Sequence, residues 1–173
     1  MSDDNQGQND GKPEGSGSSA AGATARPQGQ SPITVLSQYL KDLSFENPGA
    51  PMVTTAGHPS PHGRVDVDVK ARSLGESGYE VSLLMRAEAN REDGPAFLVE
   101  VEYAGIFQLN GVPAEAIEPI LLIECPRILF PFARAIVCAA TQDGGYAPLL
   151  VNPIDFAQLY RAQRLRQSPS ATA

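Results

Sequence analysis

The chain has 173 residues, with 13 Lys and Arg against 20 Asp and Glu and a formal net charge of -7. That length suits one domain, and an acidic chain repels phosphate backbones, which disfavours nucleic acid as a partner. No run approaches the ~18 to 20 apolar residues of a helical membrane span, so a soluble, cytoplasmic protein without membrane insertion is expected.

Met1 to Gln30 contains no Ile, Leu, Val, Phe or Tyr and is rich in Gly, Ser, Asn, Gln and Asp. Such a segment buries too little apolar surface to offset its ordering entropy, so residues 1–31 are expected to form a disordered tail. It lacks an apolar stretch behind a basic start and does not read as a secretory signal. Residues 32–167 are then the folded domain, and residues 168–173 a short disordered C-terminal tail.

From Ile33 to Asn110 the pattern has period two, which predicts strands. The first covers about Ile33 to Glu46, and the Pro- and Gly-rich stretch Asn47 to Gly63 then makes a long connection. Val65, Val67, Val69 and Ala71 alternate with Arg64, Asp66, Asp68, Lys70 and Arg72. Tyr79, Val81, Leu83, Met85, Ala87 and Ala89 alternate with a set in which only Leu84 is apolar, and Phe97, Val99, Val101 and Tyr103 alternate with Leu98, Glu100 and Glu102. Turn chemistry at Leu74–Gly78 and Arg91–Pro95 predicts hairpins. Two hairpins and one long crossover give a four-stranded antiparallel sheet of Greek-key-like order, dry on one face and wet on the other.

After Gly111 the period becomes helical. Pro113 suits a first helical position, Pro119 limits that helix, and Pro126 separates it from a second helix of about Arg127 to Gln142. Pro131 is placed in the early turns of that helix, and Asp143-Gly-Gly145 ends it. The run Cys125 to Ala140 is apolar on nearly every side, a pattern of deep burial, and so small a sheet cannot cover it alone; a second chain is expected to do so. Pro153 opens a last helix, Ile154 to about Gln167, with Phe156, Leu159 and Tyr160 on one face. The class is α+β, with helices packed on the dry face.

Catalytic chemistry finds little support. The only histidines, His58 and His62, lie in the Pro-rich connection, and no Gly-x-Ser-x-Gly turn precedes a helix. A small enzyme using His58 or His62 is the reading from a different class. Cys125 and Cys138 read as small buried apolar side chains in a reducing compartment and are too few for a structural zinc site. No phosphate-binding glycine loop is present, so no cofactor and no metal are expected. The acidic sheet face reads either as a solvated surface or as a docking face for a basic partner, and a trough between connection, valine-rich strand and last helix reads as a groove for extended peptide.

Four segments carry a resemblance: Asp42-Leu-Ser-Phe-Glu-Asn-Pro-Gly-Ala-Pro51, Gly105-Ile-Phe107, Cys125-Pro-Arg-Ile-Leu-Phe-Pro-Phe-Ala-Arg134 and Asn152-Pro-Ile-Asp-Phe-Ala-Gln-Leu-Tyr160. Between about Ile33 and Arg166 the chain resembles the bacterial protein-export chaperone SecB. The resemblance implies a homotetramer, a dimer of dimers, that binds unfolded precursor proteins and passes them to the SecA motor, with any zinc belonging to SecA. It implies SecA binding at Asp42, Glu46, Leu98 and Glu100, and a client groove at Val65, Val67, Val69, Leu149 and Tyr160, to which helical spacing adds Phe156. The oligomer interface is expected to involve Val99, Val101, Tyr103, Ile128, Leu129, Phe132, Ile136 and Val137. Some relatives carry a Trp in the crossover and this chain has none. A SecB-like chaperone of a toxin-antitoxin system is the alternative within the family.

Overall fold

The computed structural model describes residues 31–48, 50, 62–91 and 94–167. Most of the expected N-terminal tail, the C-terminal tail and His58 therefore lie outside the described residues. Four strands, β1 (Ile33–Glu46), β2 (His62–Gly75), β3 (Gly78–Arg91) and β4 (Gly94–Leu109), form one antiparallel sheet in the order β1-β4-β3-β2. The class and the Greek-key-like order agree with the sequence reading: β2, β3 and β4 follow one another as neighbours, and β1 joins at the far edge beside β4.

Register sets the two faces, because successive side chains point to opposite sides. Leu83, Met85, Ala87 and Ala89 stand opposite Tyr103, Val101, Val99 and Phe97. On the other side of β3, Val65, Val67 and Val69 stand opposite Ala87, Met85 and Leu83. These residues make the helix-facing side. The β2–β3 hairpin turns through Glu76 and Ser77, with φ of 40° and 64°; positive φ at both central residues is the type I′ geometry that matches strand twist.

The helices follow as α1 (Ala114–Pro119), a π-helical turn (Ile120–Glu124) and α2 (Cys125–Asp143), without a break. Here the proline reading is corrected in part: α1 ends at Pro119 as expected, but the helical path runs on through the π turn, and Pro126 lies inside α2 instead of separating two helices. Each lacks an N–H donor, and the wider turn between them absorbs the mismatch, with Cys125 N–H donating to Ile120 O five residues back. Widening by one residue is what a π turn supplies. Pro113 caps α1 from outside, and Pro131 falls inside α2. The last helix, α3 (Phe156–Gln167), starts two residues later than Pro153 suggests. Asp155 is the reason: its Oδ1 accepts from Gln158 N at 2.9 Å, a side-chain N-cap.

α2 lies across β3 and β4 and buries Cys125, Leu129, Phe130, Ala133, Val137 and Thr141 along one stripe. Its opposite side keeps Phe132 49% exposed, stacked on Tyr103 at 5.9 Å between ring centroids. The all-round apolar character thus resolves into a buried seam and an uncovered apolar face. β1 extends that face, since Leu40 and Leu43 stand opposite Tyr103 and Val101 and remain 44% and 43% exposed.

The chain returning from α2 to α3 is pinned by hydrogen bonds. Thr141 Oγ1 is fully buried, donates toward the carbonyls of Val137 and Cys138, and accepts from Leu149 N at 3.0 Å. The Tyr146 hydroxyl lies 2.6 Å from Ala96 O and 2.9 Å from Asn47 Oδ1, while Asn47 Nδ2 donates to Gly144 O. The end of β1, the start of β4 and the end of α2 are thereby held together.

Candidate functional site

Two surfaces gather the residues singled out above, one on each side of the sheet. On the outer face, Cα register gives rows that cross all four strands: Glu46, Leu98, Glu88 and Arg64; then Ser44, Glu100, Arg86 and Asp66; then Asp42, Glu102, Leu84 and Asp68. Asp42, Glu46, Leu98 and Glu100 thus share one face within two strands. A depression of about 400 Å³ lies beside them, lined by Asp42, Asp66, Asp68, Leu84, Arg86, Glu100 and Glu102.

Charge on this face is only partly compensated. Arg86 Nη1 donates to Glu100 Oε1 at 2.6 Å and Nη2 lies 3.4 Å from Glu88, while Arg64 pairs with Asp66 at 2.8 Å. Lys41, at a β1 bulge, pairs with Glu102 at 2.9 Å and holds that carboxyl below its ordinary range. These pairs are exposed and individually weak. Their arrangement leaves an acidic excess around one exposed edge of Leu84.

Further along the same face the sequence reading needs correction. Glu80 belongs to the wet set by alternation, yet it is only 4% exposed. Arg72 donates to it from β2, Tyr39 donates its hydroxyl from β1, and Lys41 lies 3.5 Å away. Those two hydrogen bonds, Arg72 first, outweigh burial and hold its carboxyl down at about 2. Period two assigns a face; it does not show that neighbours from two other strands close over it.

The second surface is a groove of about 770 Å³ between β2, the α1–π segment and α3. Val69, Ala71, Tyr79, Ile117, Leu121 and Leu122 give it an apolar floor, and Asp68, Glu118, Gln163 and Arg166 a polar rim. Of the sequence-derived groove residues only Val69 lines it. Val65, Val67, Leu149 and Tyr160 are half-buried beyond its walls. Phe156 is a correction: it is 1% exposed and packs edge-on against Phe130 at 6.0 Å, so it belongs to the core. Ile117, Leu121 and Leu122 were missed, because a proline-delimited helix gave no reason to aim them at β2.

The interface residues divide in the same way. Val99, Val101, Leu129 and Val137 are at most 2% exposed within one chain and have no surface left for a second. Tyr103, Ile128 and Ile136 are half-buried and Phe132 is exposed. Spacing alone could not separate the α2 seam facing its own sheet from the opposite face.

His62 supplies the first residue of β2, opposite Asn90. Burial pushes the Cys125 thiol up to about 12, which keeps it protonated, and Cys138 is half-buried with no disulfide. Among the described residues no helix is long and apolar enough to cross a membrane.

The family described as "Preprotein translocase subunit SecB" matches residues 26–167. The "Protein-export protein SecB" of Maricaulis maris is 49% identical over 139 residues, 80% of this chain and 81% of the relative. The protein of that name from Rhodospirillum centenum is 53% identical over 137 residues (79% and 82%), and that of Parvibaculum lavamentivorans 46% over 161 residues (92% and 95%). Among solved structures, a Mycobacterium tuberculosis SecB-like chaperone in complex with a ChAD peptide from the HigA1 antitoxin superposes with a TM-score of 0.53 at 13% identity. That likeness covers 70% of this chain and 90% of the other, and it concerns the fold.

Proposed function

This chain belongs to the SecB family, and we propose that it acts as a cytoplasmic homotetramer that holds unfolded precursors in grooves on the helix side and docks SecA on the acidic outer face. Its function is that of a protein-export chaperone. The observation that carries the finer reading is the separation of the two surfaces: an apolar-floored groove lies on one side of the sheet and an acidic depression on the other. A client and a cationic partner can then be bound together.

Holding a client needs no nucleotide. Burial contributes ~25 cal/mol per Å² of apolar area, so ~400 Å² of client surface gives about 10 kcal/mol before ordering costs. Repeated grooves in an oligomer add avidity, and preferential binding of the unfolded state keeps a precursor from folding by mass action. The uncovered strip of Leu40, Leu43, Tyr103 and Phe132 supports assembly, since apolar side chains so exposed are stabilised by a second copy. Asp42, Glu46, Leu98 and Glu100 are the docking residues in this reading, and Val65, Val67, Val69, Leu149 and Tyr160 contribute to client binding along and beyond the groove. Similarity to export proteins over most of the chain favours general export over a toxin-antitoxin role. An aggregation assay with a chemically unfolded export precursor tests the proposal: suppression at near-stoichiometric tetramer is expected, and unchanged aggregation would refute it.

A further inference from the structure

We propose that the far end of the outer face is a carboxylate site, so that the segment docking on this face carries an Asp or Glu about four extended residues beyond the cations that meet its acidic end. The inference rests on the docking reading above and names the chemistry of the partner. The face changes sign along its length. Beyond the row of Asp42, Glu102, Leu84 and Asp68 come Tyr39, Ala104, Ser82 and Lys70, and then Ile106, Glu80 and Arg72. A depression of about 230 Å³ opens there, with Lys41, Lys70, Arg72, Glu80, Ser82 and Glu102 in its lining. Three cations stand against two carboxylates, which leaves positive charge in excess beside an otherwise acidic surface.

Both carboxylates already have partners: Glu80 accepts from Arg72 and Tyr39, and Glu102 pairs with Lys41 at 2.9 Å. Donors remain. Arg72 uses its Nε–H on Glu80 and its side chain is 67% exposed, which leaves the Nη groups for an outside acceptor. Lys70 is exposed and, among the described residues, has no ion pair of its own. A planar guanidinium beside an ammonium suits a carboxylate, and the small excess of positive charge matches one monoanion better than a dianionic phosphate. Lys70 follows Asp66 by four residues on β2, about 13 Å at the rise of an extended chain. A partner laid along the strand with its cations over Asp66 and Glu100 therefore brings a residue four positions on to Lys70 and Arg72. A purely cationic segment would meet repulsion there, so the two-signed face selects both composition and placement.

The test compares two end-capped peptides of one composition by calorimetry at low ionic strength with the full-length protein. In the first, three lysines are separated from two aspartates by a Gly-Ser-Gly spacer; in the second, the aspartates adjoin the lysines and the spacer follows. The spaced peptide is expected to bind about three- to fivefold more tightly, the scale of one surface ion pair. Lys70→Glu, at an exposed position, should remove or invert that preference while circular dichroism shows the fold retained. Equal binding of the two peptides, or a preference that survives Lys70→Glu, overturns the carboxylate site alone. The spaced peptide with asparagines in place of its aspartates reports the acidic end by itself: its failure to bind the wild type overturns the docking reading as well.

Discussion

Gly105 lies directly beneath Leu129: a Cβ placed on Gly105 would stand 2.9 Å from Leu129 Cδ2 and 2.9 Å from Phe107 Cε2. Leu129 and Phe107 are both fully buried, so neither can swing into solvent, and α2 approaches β4 closely because this position has no side chain. Gly105→Ala overpacks the seam and is expected to cost about 1 to 3 kcal/mol. Urea unfolding of the single and double variants checks the cause: the cost should shrink markedly in a Leu129→Ala background. An undiminished cost would place the strain elsewhere.

The β2–β3 turn offers the opposite sign. Glu76 and Ser77 both adopt positive φ, a region where residues with a Cβ are disfavoured and Asn-Gly is favoured. Ser77 contributes its carbonyl to Leu109 N at 3.0 Å, which any residue can supply. Ser77→Gly is therefore expected to stabilise the protein by about 0.5 to 1 kcal/mol, a rise of a few degrees in Tm by calorimetry at fixed protein concentration. A fall in Tm would contradict the turn assignment.

The strands were legible because their signal is local. Alternation and two turn motifs locate all four strands, β1 to the residue, although β4 runs on to Leu109 beyond the alternating Phe97–Tyr103 and β2 already begins at His62, inside the expected connection; the length of that connection separates β1 from β2. Features decided by two distant elements were not. Pro119 and Pro126 each read as a helix stop, yet burial of the Cys125–Leu129–Ala133–Val137 stripe against β3 and β4 favours continuing through a π turn. Glu80 reads as solvated because its burial comes from Tyr39 and Arg72 on other strands. Phe156 reads as groove-lining because helical spacing does not reveal Phe130 beneath it. The docking residues were assigned by resemblance, and the structure adds that they share a face.

Glu80 also makes acid stability predictable in sign. Its carboxyl is held at about 2 in the fold, against an ordinary value of 4.5. A depressed folded value means that the stabilisation is fully present above about 4.5 and is lost as pH falls toward 2. Glu80→Gln removes this titration, so its stability should fall less steeply than wild type across that window. Urea titrations at a series of pH values make the comparison; parallel curves would show that the ion cluster does not contribute.

The apolar strip predicts an effect on assembly without loss of fold. Phe132 is 49% exposed in one chain, with its ring stacked on Tyr103. Phe132→Asp leaves the buried seam of α2 untouched but sets a charge where a second chain would pack, and desolvating an unpaired carboxylate is strongly unfavourable. Sedimentation at micromolar concentration should show wild-type mass of several 18.3 kDa chains and a lower mass for the variant, with far-UV circular dichroism unchanged. A monomeric wild type would refute the assembly proposal.

Reversing charge on the outer face separates docking from client capture. Glu100 lies in the row between Ser44 and Arg86, and its Oε1 takes the 2.6 Å hydrogen bond from Arg86. Glu100→Lys replaces that pair with two cations side by side and turns part of the acidic excess positive, while the groove floor of Val69, Leu121 and Leu122 lies across the sheet. Like-charge juxtaposition acts on encounter rate and specificity. Binding of SecA is expected to weaken about tenfold or more, with a reduced dependence on ionic strength, because fewer attractive charges remain to be screened. Asp42→Lys, from the edge strand opposite Glu102, should act in the same direction. Aggregation suppression by both variants should match wild type, since neither side chain lines the groove. Equal loss of docking and capture would mean that one continuous surface, rather than two, does both tasks.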